Sequence, residues 1–311
     1  VSKLIVSEDE AGQRIDNFLQ RVLSKVPKTR LYKAIRKGEI RVNKGRVKPD
    51  TRIEAGDEIR LPPLHVEPAT AAPRLPGFWA QKIQSAVLYD DERLLVINKP
   101  SGLAVHGGSG VSLGLIESLR QLYPEQRYLE LVHRLDRDTS GLLLVAKRAS
   151  VLRELHQQLR EKSMRKSYLA LVQGRWPPHV KQVSAPLEKY SVPSGERLVR
   201  VSGEGRPSLT HFRVVERFKS ATLVEASPVT GRTHQIRVHA LHAGHPILGD
   251  AKYSNPAAER LCRDVGLARL FLHAAQLEFT LGDTRHQYEA PLSEELLSAC
   301  SALRAAERKA N

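Results

Sequence analysis

Nine residues, His133-Arg134-Leu135-Asp136-Arg137-Asp138-Thr139-Ser140-Gly141, run directly into the apolar segment Leu142-Leu143-Leu144-Val145-Ala146, which reads as a buried strand. A fold that draws such a charged run toward its interior must compensate the charge there. Burying a carboxylate is costly unless a cation or hydrogen-bond donors hold it ionised. Asp138, followed by Thr139-Ser140-Gly141, can cap a turn. Asp136, lodged between Leu135 and Arg137, has no such local purpose, so its presence needs a chemical reason.

At 311 residues the chain exceeds one average domain. Hydrophobic residues make up 41% of it, enough for a core. Lys+Arg number 49 against 34 Asp+Glu, a net charge of +15. That balance points to a polyanionic partner, with nucleic acid the expectation. Cys262 and Cys300 stand far apart, which excludes a thiolate metal site and a disulfide framework and suggests a reducing compartment. The start, Val1 to Ser7, lacks the apolar run of a signal peptide. No segment approaches the roughly 20 apolar residues of a membrane span. The expectation is a cytoplasmic protein with no membrane partner.

Residues 1–62 read as a compact N-terminal unit. Ile15, Phe18, Leu19 and Val22 recur at helical spacing, and Leu31, Ala34 and Ile35 repeat the pattern after Pro27. Short strands at Ile40–Val42 and Ile59–Leu61 follow, with turns at Asn43-Lys44-Gly45 and Ala55-Gly56-Asp57. Between Lys28 and Lys48 there are nine Lys/Arg and one acidic residue, Glu39. A solvated helix face would mix its signs, so Lys28, Arg30, Lys33, Arg36, Lys37, Arg41, Lys44 and Arg46 form a candidate phosphate-binding surface.

Residues 63–82 are rich in Pro and Ala and read as an extended linker, implying few contacts across it. Residues 83–311 read as one larger domain. Strands are expected at Val87–Tyr89, Leu94–Asn98, Tyr168–Val172, Leu209–Val215, Ala221–Ser227 and Leu277–Thr280, and helices at Ser112–Leu122 and Val151–Lys162. Strands outnumber intervening helices, which favours an α+β domain with a mainly antiparallel sheet flanked by helices.

Other motifs compete with the Asp136 run. Gly107-Gly108-Ser109-Gly110 lacks the Gly-Lys-Ser/Thr ending of a phosphate loop and reads as a flexible loop. His234, His239, His242 and His245 cluster, but Arg232 and Arg237 among them argue against a metal site, and none is expected. Asp136-Arg137-Asp138-Thr139 matches the Asp-x-Asp-x-Thr pattern of haloacid-dehalogenase-type phosphatases. His133 and Arg134 interrupt the strand that chemistry needs, and no clear downstream acidic pair is present.

Taken in order, the motifs resemble those of the RluA-type pseudouridine synthases over nearly the whole chain. The unit at 11–62 looks like an S4 RNA-binding domain. Asn98 to Gly108, the run around Asp136, Lys166-Ser167-Tyr168-Leu169-Ala170 and Gly231 to His239 match successive catalytic motifs. Gly244 to Asp250 and Arg269 to Ala274 extend the match.

The resemblance implies isomerisation of uridine to pseudouridine in RNA, with 23S ribosomal RNA or an assembling large ribosomal subunit as partner and a monomeric enzyme. Nothing is oxidised or hydrolysed in that reaction, so no cofactor is implied. Asp136 would be the nucleophile and Arg237 its bidentate salt-bridge partner. Tyr168 would lie against the uracil and help remove the C5 proton. Arg134 would fill the stack vacated by a flipped base, and Arg232 would contact phosphate. His234 and His133 are assigned to structure. A phosphatase and a pure RNA-binding protein with an inert second domain stand as alternatives. The first predicts Mg²⁺ dependence, and the second gives no reason for Asp136 to face Arg237.

Overall fold

The computed structural model describes residues 2–23, 26–63, 74–107, 113–193 and 195–308. The glycine-rich run after Gly107 and residues 64–73 of the Pro/Ala-rich stretch lie outside them. In the N-terminal unit, helices Ile15–Val22 and Lys28–Lys37 pack on a four-stranded sheet. Its strand order is Ser2–Ile5, Glu58–Leu61, Arg41–Val42, Gly45–Arg46. Ile15, Phe18, Leu19, Leu31, Ala34 and Ile35 form the shared core with Ile40, Ile53 and Ile59, so the apolar periodicity of both helices is what seats them. Lys28–Lys37 ends where Gly38 turns left-handed at φ +71°, a conformation that costs glycine little. Asn43 and Lys44 both take positive φ, as a two-residue hairpin turn requires.

Contact across the linker is greater than its composition suggests. Arg21 Nη1 donates to the Arg127 carbonyl at 2.7 Å, and its guanidinium lies 5.3 Å from the Tyr128 ring centre. Arg148 reaches Asp9 at 3.4 Å. A helix, Gly77–Ser85, begins inside the stretch that reads as linker, and its Trp79 packs against the larger core.

The larger unit is built on a ten-stranded sheet. Its main path runs Gln182–Ser184, Leu209–Arg217, Ala221–Pro228, Arg165–Gln173, Leu272–Leu281, Ser140–Ala146, Leu94–Lys99, Val87–Asp90. Among the described strands the pairing is antiparallel except between Ser140–Ala146 and Leu272–Leu281. Every residue of Ser140–Ala146 is buried, which accounts for the unbroken apolar run there. The strand enters its slot through Gly141, at φ +110°. A Cβ there would sit 2.3 Å from the Ala274 carbonyl oxygen, so only glycine lets the Asp136 segment join the sheet at this point.

Helix Ala149–Glu161 packs on the sheet beside Leu272–Leu281. Helix Glu294–Arg308 buries Leu296, Ala299, Cys300 and Leu303 against Leu171 and Phe271. Helix Gln235–His242 has no signature in the sequence. Six consecutive residues, Gln235 to Ala240, are buried, so no polar face alternates with an apolar one to reveal it.

Candidate active site

Asp136 lies in a turn closed by the Thr139 N–H donating to its carbonyl at 3.2 Å, one residue past the buried Leu135. The turn is pinned from behind. Lys99, fully buried, donates to the carbonyls of Pro100, Leu103 and Arg137 at 3.0, 2.9 and 3.0 Å. Burial pulls its ammonium down to about 7, against the attraction of Asp138 and Asp136. His133 is structural, its Nε2 accepting the Leu144 N–H at 3.3 Å, and burial pushes it down to about 3.

Arg237 faces Asp136, with Nη1 3.3 Å from Oδ2. The two-pronged grip expected between them is made to Asp250 instead. Arg237 Nε and Nη2 reach Asp250 Oδ2 and Oδ1 at 2.7 and 2.8 Å. The Asp250 side chain is 0% exposed, so its charge needs the full fork, whereas Asp136 is 22% exposed and partly solvated. Burial pushes the Asp250 carboxyl up. The Arg237 hydrogen bonds and charge, with the Lys252 and Tyr253 N–H groups, outweigh this and hold it below the carboxylate range. Arg237 is correspondingly held above its usual value, Asp250 and Asp136 outweighing burial. Gly249, at φ +75° with the Arg269 carbonyl 1.9 Å from where a Cβ would lie, sets Asp250 in place.

His234 matters more than its place in the sequence motif suggests. It caps helix Gln235–His242 in a left-handed conformation, φ +52°, with Nε2 3.8 Å from Asp136 Oδ2. Its Nδ1 lies 2.7 Å from the Tyr253 hydroxyl, which already accepts the Val199 N–H at 2.9 Å. We assign the phenol proton to Nδ1, which puts the imidazole proton on Nε2, facing Asp136. Burial pulls His234 down to about 4, so the ring is neutral near pH 7. Arg237 is hydrogen-bonded to Oδ2, and the neutral His234 ring lies near the same oxygen. Among the described residues Oδ1 has no partner.

Asp136, Arg134, Tyr168, Arg232, His234 and Arg237 all line one pocket of about 120 Å³. Tyr168 is 8% exposed, and its hydroxyl has no hydrogen-bond partner among the described residues. Burial, with the Asp136 charge, raises it above its ordinary value, so it stays a neutral phenol. Arg134 is exposed, with no partner among the described side chains. Arg232 is exposed and donates through Nε to the Pro207 carbonyl at 3.3 Å. Gln235 fixes the loop that carries it, accepting from the Arg232 N–H and Thr230 hydroxyl and donating to the Leu209 carbonyl. Lys166, two residues before Tyr168 on the same strand, also lines this pocket.

The histidines at 234, 239, 242 and 245 do not converge. His239 is buried between Ser208, Thr210 and the Ala185 carbonyl, and His245 bonds the Gln173 carbonyl. Among the described residues no group of three His, Cys, Asp or Glu side chains is placed to hold a metal. None of the described helices is long and apolar enough to cross a membrane. In the N-terminal unit Lys28, Arg30, Lys33, Arg36, Lys37, Lys44 and Arg46 are exposed. Arg41 differs: half-buried, it donates to the Gly38 and Lys44 carbonyls and braces the hairpin.

Comparison with known proteins agrees with this layout. The S4 domain model matches residues 13–59, and the RNA pseudouridylate synthase model matches residues 93–242. The chain is 56% identical to ribosomal large subunit pseudouridine synthase C of Escherichia coli K12, over 98% of this chain and 97% of that protein. It is 54% identical to the protein of that name from Pasteurella multocida, over 98% and 94%. The solved structure of human RNA Pseudouridylate Synthase Domain Containing 4 superposes with a TM-score of 0.61 at 28% identity, covering 73% of this chain and 96% of that one. With an S4 domain ahead of a catalytic domain of this kind, the chain belongs to the RNA pseudouridylate synthase family and is an RNA pseudouridine synthase.

Proposed function

We propose that the protein isomerises specific uridines of 23S ribosomal RNA, free or within an assembling large subunit, with Asp136 as nucleophile and the target base flipped out. The observation that carries this reading is the asymmetry at Asp136, which lines the pocket of Tyr168: Oδ2 is held by Arg237, and Oδ1 has no partner among the described residues. Oδ1 is then the attacking oxygen. Attack at ribose C1′ or at the uracil ring labilises the same C1′–N1 bond. The C1′–N1 bond breaks, the base turns in the pocket, C5 bonds to C1′, and the covalent bond to Asp136 breaks, which returns the free carboxylate. The proton lost from C5 balances the proton gained at N1, so no oxidant or co-substrate enters.

Each neighbour has a part. Arg237 keeps Asp136 charged and limits its rotation. Tyr168 lies against the uracil as a neutral phenol, so it aids loss of the C5 proton by hydrogen bonding rather than as a phenolate base. The target atoms are inaccessible in a stacked helix, and the free planar guanidinium of Arg134 suits the vacated place. Arg232 takes a phosphate at the pocket mouth, and the basic face of the S4 domain holds the RNA, with one protein chain acting alone.

Incubating the purified protein with an unmodified 23S rRNA transcript tests the reading. Pseudouridine at discrete positions is expected in the transcript or in assembling large-subunit particles treated the same way, and its absence from both would refute it. Replacing Lys28, Lys33, Arg36 and Lys37 with Gln should weaken binding to that transcript. It should also reduce the dependence of log affinity on log salt, by up to about 0.9 for each phosphate that is no longer bound. An unchanged slope would make this run a solvated face only.

A further inference from the structure

Among the described residues three lysines of the catalytic domain are withdrawn from solvent, Lys99, Lys147 and Lys166, and they are treated very differently: Lys147 is paired with Asp90. Lys99 is surrounded by three carbonyl acceptors within 3.0 Å, as a structural ammonium should be. Lys166 is half-buried, and among the described residues its ammonium has neither a hydrogen-bond acceptor nor a carboxylate partner. Burial alone lowers its affinity for a proton, with no nearby anion offsetting the penalty. A half-buried ammonium in this state has lost part of its hydration and gained no partner in return. An anion arriving from outside would offset that penalty.

The surroundings say which anion. Lys166 and Pro228 line the Asp136 pocket and also a second groove of about 370 Å³, so the two adjoin at these residues. The groove crosses the sheet where strand Ala221–Pro228 ends and strand Arg165–Gln173 begins. Its carboxylates are already neutralised: Glu225 pairs with Arg213 at 2.6 Å and Glu278 with Arg285 at 2.7 Å. Its cations are not: Lys162 and Arg165 have no acidic partner among the described residues and are exposed. Ser227, Ser167 and Gln276 add uncharged hydrogen-bonding groups.

We propose that Lys166 binds a backbone phosphate beside the flipped nucleotide, and that the groove past it, with Lys162 and Arg165, carries the flanking single strand of RNA. The inference rests on the reading of the Asp136 pocket as the uridine site. Lys166 then serves as the gate residue between the catalytic pocket and the strand path, contacting phosphate and not the reacting atoms.

Lys166→Met, which keeps the apolar stem and removes the charge, tests this against a structural role. The full-length variant should melt at or above the wild-type temperature, because an uncompensated charge has been removed. Lys99→Met, which empties a carbonyl cage, should melt below it. On the unmodified 23S rRNA transcript, Lys166→Met should bind more weakly, with the slope of log affinity against log salt smaller by about 0.7, the value for one single-strand phosphate. Lys166→Arg should keep the wild-type slope. Lys162→Gln with Arg165→Gln should lower the slope further. A Lys166→Met protein that melts lower, or that binds with wild-type affinity and slope, overturns the proposal. If the wild-type protein makes no pseudouridine in that transcript or in assembling large-subunit particles, the proposed function fails first. If it does and Lys166→Met changes nothing, this inference alone fails.

Discussion

Asp136→Asn is expected to abolish pseudouridine formation while leaving RNA binding intact. The amide keeps the shape of the carboxylate but cannot act as a nucleophile, and losing such a group in a concerted site costs at least about 10⁴-fold in single-turnover rate. The fold should tolerate the change. Arg237 keeps its two bonds to Asp250, so its buried charge stays compensated, and the Asp136 backbone turn to Thr139 does not involve the side chain. Melting temperature and affinity for the 23S rRNA transcript should therefore match wild type. Conversion within about tenfold of wild type would rule out Asp136 as nucleophile, since no other carboxylate among the described residues lines that pocket.

Arg237→Met is the second large effect, and the Asp250 pair changes what it means. The substitution strips the counter-ion from a carboxylate whose side chain is 0% exposed, a loss of about 3–5 kcal/mol. At about 2–4 °C per kcal/mol for a unit of this size, melting should fall by roughly 6–20 °C. The deficit has a pH signature. In the wild-type protein Asp250 is depressed, so its contribution is present above the unfolded-state pKa and lost as pH falls through the folded value. In the variant the remaining burial raises it, which penalises the fold near neutrality and not when the group is protonated. The stability gap should therefore narrow as pH falls toward about 3.9, the unfolded aspartate value.

Arg237→Met combined with Asp250→Leu should recover most of the stability without recovering turnover, because Asp136 still lacks its cation. Arg237→Lys, a point charge without the fork, should fall between Met and wild type. Wild-type single-turnover rates in the stabilised double variant would remove Arg237 from the chemistry and leave it a structural residue.

These two residues were legible in the sequence for different reasons. Asp136 stood out because a carboxylate just ahead of an apolar run has no local use, and that run is the fully buried strand Ser140–Ala146. Arg237 came from its motif, and its position 3.3 Å from Asp136 agrees. Its stronger bond to Asp250 was not readable. The two residues lie 13 positions apart, brought together only by the left-handed Gly249 and a helix whose uniform burial erased its periodicity. The link from Val199 through the Tyr253 phenol to the His234 imidazole was hidden likewise, since it joins three separate segments.

The N-terminal unit was readable because its helices are amphipathic and its turns carry Gly and Asn where positive φ is needed. Within it, charge composition could not separate Arg41, which binds backbone carbonyls, from its exposed neighbours. The same limit applied to Lys166, which the sequence presents only as one member of a motif. Its significance lies in having no partner among the described residues, and an unmet charge leaves no mark on a sequence.

Pseudouridine mapping of 23S rRNA from cells whose only copy of this protein carries Asp136→Asn tests the central claim most directly. A discrete set of positions modified in wild-type cells should be unmodified there, as in cells lacking the protein entirely, and the wild-type chain should restore every one. Full modification of 23S rRNA in the Asp136→Asn cells would contradict the assignment of Asp136 as the nucleophile.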